Sequence, residues 1–141
     1  MPDSDIWVHE ASATAEGGHL RTDDGELSTV LASPLAPDCK GLTPEQLLAA
    51  AFASCLHHAA VEVATDITNE SHTVEVRAMA RLARDRDGRY HADVRASIAS
   101  VGLTRDQLTD LVAYADRLWP FSSTDGGRHT LTVVPGDSRD R

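Results

Sequence analysis

Two stretches in the second half of the chain alternate apolar and polar residues with a period of two. Between Thr73 and Arg84, Val74, Val76, Ala78, Ala80 and Leu82 share one face, and Glu75, Arg77 and Arg81 share the other. After Asp87-Gly88, Tyr90, Val94, Ala96 and Ile98 alternate with Arg89, His91, Asp93 and Arg95. Alternation this long predicts two strands, and the Asp-Gly between them predicts a hairpin. The first forty residues are patterned more weakly. Trp7 to Ala15 alternates loosely, Gly17-Gly18 and Asp23-Asp24-Gly25 punctuate, Glu26 to Ala32 reads as the next strand, and Ser33 to Gly41 reads as a loop.

Two segments carry helical signals. Thr43 suits an N-cap, Pro44 the first helical position, and Gln46 stands three residues after Thr43 as in a capping box; the helix should run from Pro44 to about Thr65. Thr104, again followed three residues later by Gln107, starts a second helix that presents Leu108, Leu111, Val112, Ala115 and Leu118, and Pro120 stops it. A last strand is expected over His129 to Val134, with a frayed tail from Gly136 to Arg141. Strands grouped apart from helices make this an α+β chain, and residues 1–135 read as one domain.

The first helix is unusual in composition. Ala49, Ala50, Ala51, Ala53 and Ser54 stand where a core helix would use larger side chains. Small residues let another backbone come close, so the helix is expected at the centre of an assembly. Its longest uncharged stretch, Leu47 to Val61, is expected to be too short and too rich in alanine to span a bilayer.

Charge narrows the function classes. The chain of 141 residues carries 22 acidic and 13 basic side chains, a net charge of −9, which argues against nucleic acid or an anionic membrane as partner. The acidic start, Met1-Pro2-Asp3-Ser4-Asp5, has no apolar segment of the secretory kind, and two cysteines in that setting read as reduced thiols; a cytoplasmic location is expected. Cys39 and Cys55 are sixteen residues apart and form no CxxC. The adjacent His57 and His58 point to different helix faces and lack the i, i+4 spacing of a helical zinc site, so no metal is expected.

Taken from the helix alone, Cys55 reads either as a small buried hydrophobe or as a nucleophile. A nucleophilic cysteine needs a stabilised thiolate, and Cys55 lies too deep in its helix for the terminal dipole, so a neighbouring cation is required. Arg21 is the candidate cation and Glu45 the candidate carboxylate to hold it. Glu45 and Cys55 are separated by ten residues, about 15 Å of helical rise, so the simplest arrangement pairs two such helices antiparallel and brings Glu45 of one copy to Cys55 of the other.

The run Pro44-Glu45-Gln46-Leu47, with its cysteine ten residues after the glutamate, resembles the OsmC/Ohr family of thiol-dependent peroxidases. The likeness extends to an N-terminal β-meander with Arg21 in its second turn region, the two long strands, and Trp119-Pro120-Phe121-Ser122 after the second helix. It implies antiparallel sheets wrapped around two central helices in an intertwined homodimer, with active sites at the subunit boundary. It also implies reduction of organic hydroperoxides: Cys55 attacks the O–O bond, Arg21 stabilises the thiolate and departing alkoxide, and Glu45 orients Arg21. Trp119 and Phe121 are candidate pocket residues. No cofactor or metal is implied, and an external thiol of the dihydrolipoyl type is the implied reductant. One departure matters: members of the Ohr branch carry a second cysteine where this chain has Trp119. Cys39, six residues before Glu45 and within about 20 Å of it along an extended chain, is a candidate resolving thiol. The departure also leaves open an apolar-ligand-binding protein or a single-thiol redox sensor with little turnover.

Overall fold

The structure, a computed structural model, describes residues 6–33, 35, 40–68, 74–118 and 130–135. Cys39, Trp119, Phe121 and the tail expected from Gly136 lie outside the described residues. The chain forms two compact units, Met1–Pro44 and Glu45–Arg141.

The first unit is a three-stranded meander of β1 (Ala13–Glu16), β2 (His19–Thr22) and β3 (Ser28–Val30), in the order β1-β2-β3. Gly17 and Gly18, both at positive φ (60° and 75°), make the two-residue turn that sets Glu16 opposite His19. Such a turn needs left-handed backbone at both positions, which glycine supplies without a steric cost. The β2–β3 loop is closed by side chains. Thr22 Oγ1 donates to Asp24 Oδ1 (2.6 Å), which also accepts from the Glu26 N–H (3.0 Å). The Thr22 hydroxyl and that amide hold the Asp24 carboxyl below the usual carboxylate range. Leu31 and Leu42 form an isolated parallel bridge, and a side chain at Gly41 would meet the Val30 carbonyl oxygen at 2.6 Å.

Two expectations for this unit need correction. The first strand does not begin at Trp7: Ile6, Trp7 and Val8 lie outside any strand and are 87%, 86% and 92% exposed. Three consecutive apolar residues satisfy no period of two, and the strand forms only where the pattern meets the glycine turn. β2 lies where only punctuation was read, because four residues are too few to show a period.

The second unit begins with α1 (Pro44–Thr68) and continues with the long hairpin β4 (Val74–Arg84) and β5 (Tyr90–Ser100), then α2 (Arg105–Leu118) and β6 (Thr130–Pro135). The hairpin register runs from Val74 opposite Ser100 to Arg84 opposite Tyr90. Its five-residue turn is organised by Asp85, whose Oδ1 accepts from the amides of Asp87 and Arg89, each at 2.9 Å. The capping box expected at α2 is complete: the Gln107 N–H donates to Thr104 Oγ1 (3.1 Å), and the Thr104 N–H donates to Gln107 Oε1 (2.9 Å).

The core gathers Phe52, Leu56 and Val63 of α1, Val94 and Ile98 of β5, and Leu111 of α2, all at most 5% exposed. Leu118, expected inward with that α2 stripe, is 56% exposed, since the stripe outruns the core at the end of the helix. Tyr90 likewise stands 49% exposed near the hairpin turn, with Arg84 stacked over its ring. The sheet order is β4-β5-β6, and β6 pairs with β5 in parallel, Asp93 opposite Thr130 through Ile98 opposite Pro135. The antiparallel pairing expected of the sheets holds for β1-β2-β3 and for the β4–β5 hairpin, and β6 departs from it. The α2 crossover between β5 and β6 is long enough to return the chain in the same direction, which a hairpin cannot do.

The α1 helix is longer than expected, 25 residues, and by length and composition alone it is long and apolar enough to cross a bilayer, because it extends beyond Leu47 to Val61 at both ends. Here one stripe of it, Phe52, Leu56, Ala59, Ala60, Val63 and Ala64, is buried in the unit's core.

Candidate active site on the central helix

Why the thiol sits where it does follows from the helical period. Phe52, Leu56, Ala59 and Val63 recur at three- and four-residue steps and are buried. Cys55 lies at the edge of that stripe. It is half-buried, packs against the core cluster and is a free thiol. The next residue toward the N-terminus, Ser54, turns its hydroxyl back to the carbonyls of Ala50 (2.9 Å) and Ala51 (3.1 Å). The α1 positions beyond the core form an exposed face that includes Ala50, Ala51, Ser54, His57, His58 and Val61. The rings of His57 and His58 lie edge to face, their centroids 6.3 Å apart and their planes at 66°. Among the described residues no group of His, Cys, Asp and Glu could hold a metal ion.

Glu45 stands in the first turn of α1, where a carboxylate favours the helix dipole. The placement is incomplete in one respect: its Oε2 is buried and has no hydrogen-bond partner among the described residues. A carboxylate oxygen removed from water without a donor is costly, by about 1–3 kcal/mol or more for a charged group, so the position calls for a cation or donor. Because α1 is unbroken from Pro44 to Thr68, Glu45 and Cys55 stay about 15 Å apart along the axis and do not meet within one chain.

Arg21 is on β2, between Thr14 of β1 and Ser28 of β3, with its side chain exposed. It is therefore a strand residue rather than a turn residue. Its place is fixed by backbone pairing, and its guanidinium projects from the meander. The structure thus sets Cys55 and Glu45 on one helix of the second unit and Arg21 on the sheet of the first.

A feature that sequence reasoning missed is an apolar groove of about 360 Å³ lined by Val63, Asp66, Ile67, Tyr114, Arg117 and Leu118. The sequence pattern placed Leu118 inward with the rest of the α2 stripe and so gave no sign of the groove. It begins eight residues beyond Cys55, about 12 Å along α1, and is separate from the thiol.

Comparison with known proteins places the chain. Residues 37–133 match the family of OsmC-like proteins. The organic hydroperoxide resistance protein OhrB of Bacillus subtilis is 32% identical over 123 residues, covering 83% of this chain and 90% of that protein. Its crystal structure superposes with a TM-score of 0.80, covering 91% of this chain and 98% of the other. An organic hydroperoxide resistance protein from Legionella pneumophila gives a TM-score of 0.82 at 25% identity, with 94% and 100% covered. With a family match over most of its length and relatives of the same fold, the chain belongs to the OsmC family.

Proposed function

We propose that this protein is a homodimeric thiol peroxidase that reduces organic hydroperoxides to alcohols in a reducing cytoplasm. The observation that carries the reading is the buried Oε2 of Glu45, without a hydrogen-bond partner among the described residues, at the start of a helix whose only cysteine follows ten residues later. That oxygen calls for a guanidinium. Arg21 supplies it, and a guanidinium held by a carboxylate is the cation that a reactive thiolate needs.

In the first half-reaction the Cys55 thiolate attacks the terminal oxygen of R–O–O–H. The S–O bond forms as the O–O bond breaks, sulfur is oxidised to sulfenic acid, and the alkoxide leaves with the electron pair and takes a proton to become the alcohol. Arg21 stabilises the negative charge first on sulfur and then on the alkoxide. Glu45 acts through Arg21 as a positioning residue. In the second half-reaction a thiol attacks the sulfenic sulfur, water leaves, and a second thiol equivalent reduces the resulting disulfide. An external dithiol of the dihydrolipoyl type fits that role.

The dimer reading rests on surfaces that the isolated chain leaves open. The α1 face of Ala50, Ala51 and Ser54 admits a close antiparallel copy, and Ile6, Trp7 and Val8 are almost fully exposed. In that pairing Glu45 of one subunit serves Cys55 of its partner, and Cys39 travels with Glu45 toward the same thiol. Trp119 and Phe121 would supply apolar surface near the thiol and favour organic substrates.

One stoichiometric experiment tests this reading. Reduced protein treated with an equivalent of cumene hydroperoxide should release one cumyl alcohol per chain and become labelled at Cys55 by a sulfenic-acid probe. On a non-reducing gel without the probe, a covalent dimer requiring both Cys39 and Cys55 would mark Cys39 as the resolving thiol. A monomer assigns resolution to the external thiol. No alcohol and no label would sink the peroxidase reading. The apolar groove beside Tyr114 favours a second reading, apolar-ligand binding with little turnover, which predicts binding of a fatty-acyl ligand without consumption of hydroperoxide.

A further inference from the structure

Charge is distributed unevenly along this acidic chain. Six of its thirteen basic residues, Arg77, Arg81, Arg84, Arg86, Arg89 and Arg95, lie between Val74 and Ser100, against four carboxylates in the same segment. All six are exposed. The remainder of the chain holds eighteen acidic residues and seven basic ones. The β4–β5 hairpin is therefore the basic region of a protein that is otherwise strongly acidic.

Period-two geometry sorts these side chains. The face turned to the core carries Val74, Val94, Ala96 and Ile98. On the opposite face Met79, 47% exposed, has Arg77 and Arg81 two residues away on its own strand and Arg95 directly across in β5. Two carboxylates share this face. Asp93 accepts from Arg81 at 2.8 Å and lies 3.6 Å from Arg95, which leaves the trio with a net positive charge, and the guanidinium side chains of Arg81 and Arg95 remain 55% and 62% exposed. Arg77 adds a further positive charge beside the exposed methionine.

We propose that the outer face of the β4–β5 hairpin is a docking surface for an acidic partner protein. An exposed methionine ringed by arginines has the composition of a protein interface core, where Met and Arg are enriched. Arginine forks pair with carboxylates in two-pronged geometry. Partner carboxylates would meet Arg77 and Arg95 while an apolar side chain covers Met79. The interspersed Asp93 and Glu75 disfavour a continuous phosphate backbone, whereas a protein surface can place its carboxylates opposite the arginines alone. The surface involves none of Cys55, Arg21 or Glu45, so this inference stands apart from the peroxidase reading.

The test uses the full chain and a fluorescent peptide of alternating glutamate and serine, which in extended form lines its carboxylates along one side, every second one at the spacing of Arg77 and Arg81. Wild type should bind it saturably and more weakly as salt rises. Arg77→Glu/Arg95→Glu should bind at least about tenfold more weakly and should gain affinity for the matching lysine–serine peptide. If that variant does not fold by circular dichroism, Arg77→Gln and Arg95→Gln, singly, carry the same comparison with smaller losses. The proposal is overturned if the glutamate peptide fails to bind, if the variants bind it as wild type does, or if a single-stranded oligonucleotide or phosphatidylserine vesicles bind this face more tightly. It is equally overturned if the substitutions change only the self-association of the protein.

Discussion

Cys55→Ser is expected to give a folded protein that no longer consumes organic hydroperoxide. Serine keeps nearly the volume of cysteine, and Cys55 sits at the margin of the core rather than within the fully buried stripe of Phe52, Leu56 and Ala60. The structural cost should therefore be small, about 1 kcal/mol. The chemical cost is complete. A serine hydroxyl is not ionised near neutral pH and has no sulfur lone pair to form the S–O bond, so the rate should fall to that of hydroperoxide alone in buffer. Alcohol formation followed by chromatography, with thermal unfolding as the folding control, separates the two costs. Residual turnover in a folded Cys55→Ser protein would move the chemistry to another group.

Removing the cation is the second large change. Arg21→Ala should slow the reaction of Cys55 with hydroperoxide by about a hundredfold, the scale on which loss of one positioned donor to a developing anion is felt. Arg21 is exposed on the meander and bears on no core packing, so the fold should be kept, with a stability loss of about 1–3 kcal/mol from leaving Glu45 Oε2 without its donor. Glu45→Gln should slow the reaction less, because the arginine remains but loses its anchor. If Glu45 acts through Arg21, the double variant should be no slower than Arg21→Ala alone, a non-additivity that independent roles would not give. Mixed dimers test the geometry. Cys55→Ser chains combined with Glu45→Gln chains should regain fast sites, because an intact Glu45 then faces an intact Cys55 across the interface. Within one chain the helix keeps the two about 15 Å apart. Absence of recovery would mean that Glu45 serves its own subunit's thiol or none.

Much of this was written in the sequence, and the reasons are local. The β4–β5 hairpin was legible because eleven-residue strands give many repeats of the period, and the Thr104–Gln107 box because capping is settled within one turn. The spacing of Glu45 and Cys55 was legible because a continuous helix converts residue number directly into distance. Other features depend on partners remote in sequence. β2 is only four residues long and owes its existence to pairing with β1 and β3 on either side. The parallel sense of β6 is decided by the path of the α2 crossover, which no periodicity within β6 encodes. The exposure of Leu118 reflects where the core ends rather than the pattern of α2, which continues inward-facing to its last residue. The candidate site shows the same division. Its helix could be read directly, whereas the burial of Glu45 Oε2 without a partner among the described residues emerged only from the fold.

The central claim, that Cys55 is tuned to organic hydroperoxides, is tested most directly by stopped-flow rate constants for reduced wild-type protein with cumene hydroperoxide and with hydrogen peroxide at one pH. The account predicts a second-order reaction that requires Cys55 and is at least about tenfold faster with the organic substrate, since apolar contact with the substrate's carbon skeleton adds binding that hydrogen peroxide cannot match. Equal, slow rates for the two peroxides, no faster than those of a free thiol in solution, would contradict it.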